Sequence, residues 1–107
     1  MNLSEMKSKL QDKFDEIMAD YDFAKIAAYM KLTNWKWATT VENEPPNERE
    51  IRRTVSSLFY SMKGEWDGQQ TRYSTGGFAW HIYKWDNSYE LRLDFNIQGS
   101  SRTFYEE

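Results

Sequence analysis

Residues 77–98, GFAWHIYKWDNSYELRLDFNIQ, form two alternating runs on either side of Asp86-Asn87-Ser88, so the chain must find something to cover one face of a β-hairpin. In the second run Leu91, Leu93, Phe95 and Ile97 share one face, while Glu90, Arg92, Asp94, Asn96 and Gln98 share the other. That is the period-two pattern of a half-buried strand. In the first run Phe78, Trp80 and Ile82 suit the core, yet the opposite face carries Ala79, His81, Tyr83 and Trp85, with rings where polar groups are expected. A turn as short as Asp86-Asn87-Ser88 joins only antiparallel neighbours, which excludes a parallel doubly wound sheet for this part of the chain.

Helical spacing precedes the hairpin. Leu3, Met6, Leu10, Phe14, Ile17 and Tyr21 recur at steps of three and four, an amphipathic helix with Ser4 as its expected cap. Phe23, Ile26, Ala27 and Met30 continue the spacing, and Asp22 can cap a second helix after a break, so helix is expected over about residues 4–32. Trp35, Trp37, Thr39 and Val41 predict a short strand over 35–41, and Pro45-Pro46 ends a loop that no helix crosses. Asn47 followed by Glu50 resembles a capping box that starts a helix over 47–63, carrying Ile51, Val55, Leu58, Phe59 and Met62 on one side, with Gly64 as its stop. Residues 65–76 are a polar connection in which 71–74 can add a short strand, and 99–107 form a polar tail. Amphipathic helices followed by a hairpin predict one α+β domain over 1–107, a small two-layer domain with helices packed on one face of an antiparallel sheet that ends in the C-terminal hairpin.

Composition narrows the function classes. The 107 residues leave room for a single core. Aromatic residues make up 17%, which offsets a mean hydropathy of -0.90 and marks a folding chain whose core is built from rings and Met. Without cysteine there is no thiol nucleophile, disulfide framework or zinc ribbon. Neither a signal peptide nor a long apolar span is legible, so a cytoplasmic protein that is not membrane-bound is expected. The net charge of -3 resides in residues 1–22, which hold six acidic and three basic residues, whereas the remainder balances.

Four places could carry chemistry. Gly76-Gly77 before a strand could bring backbone N–H groups to a phosphate, though adjacent glycines also simply make a turn. His81 is the single histidine, and no partner stands at metal-ligand spacing beside it, so no metal or other cofactor is expected. Carboxylates are plentiful but form no arrangement of nucleophile, base and oxyanion donor, so the expectation is a protein that is not an enzyme. Asp12, Glu16 and Asp20 follow at i, i+4 with Asp15 beside them, an acidic flank that is either a solvated helix face or a contact for a basic partner. Finally, Tyr83 and Trp85 with His81 are rings of the kind that anchor protein contacts or stack a base. Lys36, Lys84, Arg72 and Arg92 are too scattered for a phosphate-tracking groove, which disfavours nucleic acid as partner.

The ordered set Trp35-x-Trp37, Pro45-Pro46 before a helix, Ser74-Thr75-Gly76-Gly77-Phe78 and Leu91-x-Leu93-x-Phe95 resembles a loose family of small uncharacterised proteins encoded by tailed bacteriophages, over roughly residues 30–98. The resemblance implies a protein made in the cytoplasm of an infected host cell, where small phage proteins often inhibit host enzymes or defence systems by binding them. The resulting expectation is a non-catalytic protein-binding module, an inhibitor of a host (defence) protein. It would meet a host protein with a basic surface, or another copy of itself, through Asp12, Asp15, Glu16 and Asp20 or through His81, Tyr83 and Trp85. The alternative is a small-molecule or nucleotide-sequestering protein using Gly76, Gly77, Tyr83 and Trp85.

Overall fold

The computed structural model describes residues 2–34, 44–75, 77–86 and 88–95. Among them, helices α1 (Leu3–Asp20), α2 (Phe23–Leu32) and α3 (Glu48–Glu65) precede strands β1 (Thr71–Thr75), β2 (Phe78–Trp85) and β3 (Ser88–Phe95). The strand expected over 35–41, residues 96–98 of the hairpin and the tail lie outside the described residues.

Local chemistry accounts for most helix ends. α1 is capped by Asn2 rather than by Ser4: the Asn2 side-chain oxygen accepts from the Glu5 amide at 2.8 Å, and the Glu5 carboxylate accepts from the Asn2 amide at 3.0 Å. This is the reciprocal pattern that Asn47 and Glu50 make at the start of α3, and it satisfies two orphan amides where serine alone would satisfy one. The expected break is present. Tyr21 is extended, and Asp22 starts α2 by accepting from the Lys25 amide at 3.0 Å. Gly64 does not stop α3, which continues to Glu65 and is capped by Trp66 in extended conformation. Trp66 is 4% exposed and its indole N–H donates to the Gln69 carbonyl, so burial of a large ring sets where the helix ends. Among the described residues the glycine in the left-handed region is Gly68, at φ +97.

The sheet has the order β1-β2-β3 and is antiparallel throughout. Thr75 pairs with Phe78 and Trp85 with Ser88, so each hairpin closes across two residue positions. Ser88 is therefore a strand residue and not part of the turn. Asp86 takes φ 50, the left-handed conformation that two-residue hairpins demand and that aspartate tolerates.

Phe78, Trp80, Ile82, Leu91, Leu93 and Phe95 line one face of the sheet and are all buried beneath the helices. Phe14 of α1 stacks on Phe59 of α3 at 4.1 Å, and both meet Trp80 of β2, at 5.5 and 5.4 Å. The Trp80 indole N–H donates to the Val55 carbonyl at 2.9 Å, which satisfies the polar atom of a fully buried ring. At the other end Phe95 packs among Tyr21, Phe23 and Phe78. The helices thus occupy one layer, and the opposite face of the sheet carries the candidate ring cluster.

Candidate functional site

The outer face of the sheet is assembled by strand parity and register. Arg72 of β1 and Arg92 of β3 stand directly opposite His81 of β2, one on each side. The Arg72 Nε donates to His81 Nε2 at 2.7 Å, so that ring nitrogen is unprotonated and the proton resides on Nδ1. Nδ1 in turn lies within hydrogen-bond reach of the Tyr83 hydroxyl, with the Asp94 carboxylate 3.8 Å away. Burial pushes the His81 pKa below its usual value; Asp94 opposes this, and the positive charges of Arg72 and Arg92 reinforce it. The imidazole is neutral near pH 7, with both nitrogens engaged.

Beside it the rings form a stack. The Arg92 guanidinium lies 5.0 Å from the centre of the Tyr83 ring, and Tyr83 is stacked on Trp85 at 6.2 Å with 18° between planes. The Arg92 Nε also donates to Glu90 at 3.1 Å, which steers the guanidinium. Tyr83 is half-buried, whereas Trp85 at the end of β2 is 56% exposed. Cation–π and stacking contacts hold these side chains in place. On the same face Asp94 Oδ1 is buried with no hydrogen-bond partner among the described residues.

The acidic flank is less uniform than its spacing implies. Asp12, Asp15, Glu16 and Asp20 are all exposed. Asp15 accepts from Gln11, whose amide also reaches Tyr60 and Lys63 of α3, and Glu16 pairs with Lys13 at 3.5 Å. Glu16 and Asp20 turn toward β3, where they line a groove with Glu90 and Arg92. The flank is thus divided between the α3 side and the β3 side of α1.

Gly77 lies in the turn between β1 and β2, and Gly76 lies outside the described residues. Gly77 and Trp85 sit at opposite ends of β2, eight steps apart, or about 26 Å at strand rise. One mononucleotide does not span that distance, so Gly77 and the Tyr83–Trp85 stack do not belong to one ligand site. Among the described residues no group of three His, Asp or Glu side chains is placed to hold a metal ion, and no helix is long and apolar enough to cross a membrane.

Arg72 and Arg92 read as scattered along the chain, yet the register sets them on one rung with His81. Their spacing carries no signal of this, because a rung is defined by pairing between strands. Trp66 stood in a polar connection and proves to be core; a lone indole among polar residues was its one sequence signal. No protein-family model, curated protein or solved structure matches the chain.

Proposed function

We propose that the protein is a non-catalytic protein-binding module whose principal contact is the Trp85–Tyr83–Arg92 stack on the outer face of the sheet. The observation that carries this reading is Trp85 itself, an indole 56% exposed at a strand end and backed by a stacked tyrosine and an arginine. Trp, Tyr and Arg dominate the energetics of protein interfaces, and rings already held in place lose little conformational freedom on binding. His81 meets the stack from the side, through the hydroxyl and ring edge of Tyr83. The acidic residues Asp12, Asp15, Glu16 and Asp20 supply a second, electrostatic contribution that favours a basic partner surface and acts chiefly on association rate.

The setting proposed for this contact is an infected bacterium, with a host or defence protein as the target to be inhibited; the four short segments that resemble phage proteins support it. The test is affinity purification from host extract with the wild-type chain and with Tyr83→Thr/Trp85→Thr. The wild type recovers a stoichiometric protein, and the double variant loses it while melting within a few degrees of the wild type, since Trp85 lies outside the core. Retention of the same partner by a folded double variant sinks the assignment of this face.

A further inference from the structure

A second surface adjoins the ring stack at Arg92 and runs along the edge of β3 that pairs with no other described strand. The Leu93 carbonyl accepts from the hydroxyl of Tyr21, the residue that follows α1, at 3.3 Å, so Leu93 directs its backbone groups away from β2. In antiparallel pairing alternate residues direct both backbone groups to the same side, so Tyr89 and Leu91 share this orientation. The Trp85–Ser88 rung that closes the hairpin gives the same phase, with Glu90 and Arg92 bonding inward to Tyr83 and His81. No described residue satisfies the outward backbone groups of Tyr89 and Leu91.

Two cavities run along this edge. The one toward the hairpin turn, about 720 Å³, is lined by Met6, Leu10, Trp66, Tyr89 and Leu91, with Lys9, Lys13 and Lys84 at its rim beside Asp86 and Glu90. The other, about 380 Å³, lies between Glu16, Ile17 and Asp20 of α1 and residues 90–93 of β3. Both include Lys13, Glu90 and Leu91, so they are continuous. Consecutive strand residues line them, and consecutive residues belong to opposite faces, so it is the strand edge that borders the groove. Lys9 and Lys84 make no ion pair among the described residues. Glu16 and Glu90 are paired with Lys13 and Arg92, so the charges left are Lys9 and Lys84 against Asp86 at the hairpin end, a positive excess, and Asp20 at the Tyr21 end.

We infer that this groove takes an extended peptide segment of a partner protein, added as a fourth strand antiparallel to β3. Antiparallel addition continues the pairing of the existing sheet and sets the peptide's N-terminal half near Glu16 and Asp20, its C-terminal half near Lys9 and Lys84. The segment that fits is basic first and acidic last, with apolar residues at alternate positions entering the pocket of Met6, Leu10 and Trp66. Main-chain bonds to Tyr89 and Leu91 supply affinity, and the pocket and charge order supply selectivity. Of the ring stack only Arg92 borders the groove, and neither Tyr83 nor Trp85 lines it.

The test titrates the full chain with a synthetic peptide having valine at alternate positions, lysines in its N-terminal half and glutamates in its C-terminal half, and follows amide hydrogen exchange by NMR. The Tyr89 and Leu91 amides slow by about tenfold or more at saturation, and Lys9→Glu/Lys84→Glu weakens binding by about tenfold. A peptide N-methylated at alternate amides does not bind, while Trp85→Thr binds as the wild type does, which separates this groove from the ring face. Unchanged exchange at Tyr89 and Leu91 with millimolar peptide overturns the inference, and equal binding of a peptide with the charge order reversed overturns the orientation. Concentration-dependent protection of the same amides without peptide overturns it in favour of a second copy on the edge.

Discussion

His81 shows how much a single side chain depends on its surroundings. It donates toward Tyr83 and accepts from Arg72, and a proton on Nε2 would abolish that acceptor while setting a third positive charge between two arginines. Burial first, and the two arginines after it, hold its folded-state pKa below the unfolded value, against the opposing pull of Asp94. As pH falls through about 6.5 the unfolded chain takes up a proton that the folded chain refuses, so stability is full above that value and declines until the folded pKa is reached. Urea denaturation at about pH 7.5 and about pH 5.5 should show this decline in the wild type and a smaller one in His81→Gln, which keeps a neutral acceptor. Equal declines in the two proteins would assign the pH dependence elsewhere. The histidine was legible as a lone titratable group on the outer face; that two arginines flank it was not, since nothing near position 81 in the chain names its neighbours across the sheet.

At the scale of elements the helix starts are governed by a few atoms. Asn47 accepts from the Glu50 amide and Glu50 accepts from the Asn47 amide, both at 2.8 Å. Asn47→Ala should lower stability by about 1 kcal/mol and leave the fold intact, as read from the shift in the denaturation midpoint. A loss no larger than the scatter between replicate measurements would mean that packing of α3 alone determines its N-terminus. The capping box at Asn47 was legible because it follows Pro45-Pro46, where no helix continues. The equivalent box at Asn2 was misread in favour of Ser4, since no such breaker precedes it. The end of α3 was misread for a different reason: Gly64 has the conformational freedom to stop a helix, but the ring of Trp66 two residues later has a buried site to fill.

At the scale of the whole molecule Phe14 is the joint. It stacks on Phe59, touches Tyr60 edge-on and reaches Trp80, so one ring couples α1 to α3 and to the central strand. Phe14→Ala should cost about 3 to 5 kcal/mol, a large part of the stability of a domain this size, and should show as a shift in denaturation midpoint with little change in slope. A cost under about 1 kcal/mol would show that α1 docks without this contact. The α1–β3 groove depends on the same joint, because the packing of Phe14 holds α1 over the inner layer beside the edge of β3, which pairs with no other described strand.

What the amino-acid sequence determined by itself is the part of the fold set by near neighbours. Steps of three and four placed Leu10, Phe14, Ile51, Val55 and Phe59 on helix faces, period two placed Phe78, Trp80, Ile82, Leu91, Leu93 and Phe95 inward with His81, Tyr83 and Trp85 outward, and the breaks at Tyr21-Asp22 and Pro45-Pro46 followed from local backbone chemistry. Two amphipathic layers from such elements leave few alternatives to helices on one face of an antiparallel sheet. What tertiary structure decided is everything that needs a partner distant in sequence: the rung of Arg72, His81 and Arg92, the burial of Trp66, the division of the acidic flank, and the groove that sets the edge of β3 beside Lys9 and Lys84. The physical reason is that parity assigns a side chain to a face from its own strand alone, whereas register and helix docking are settled by the packing of the whole core.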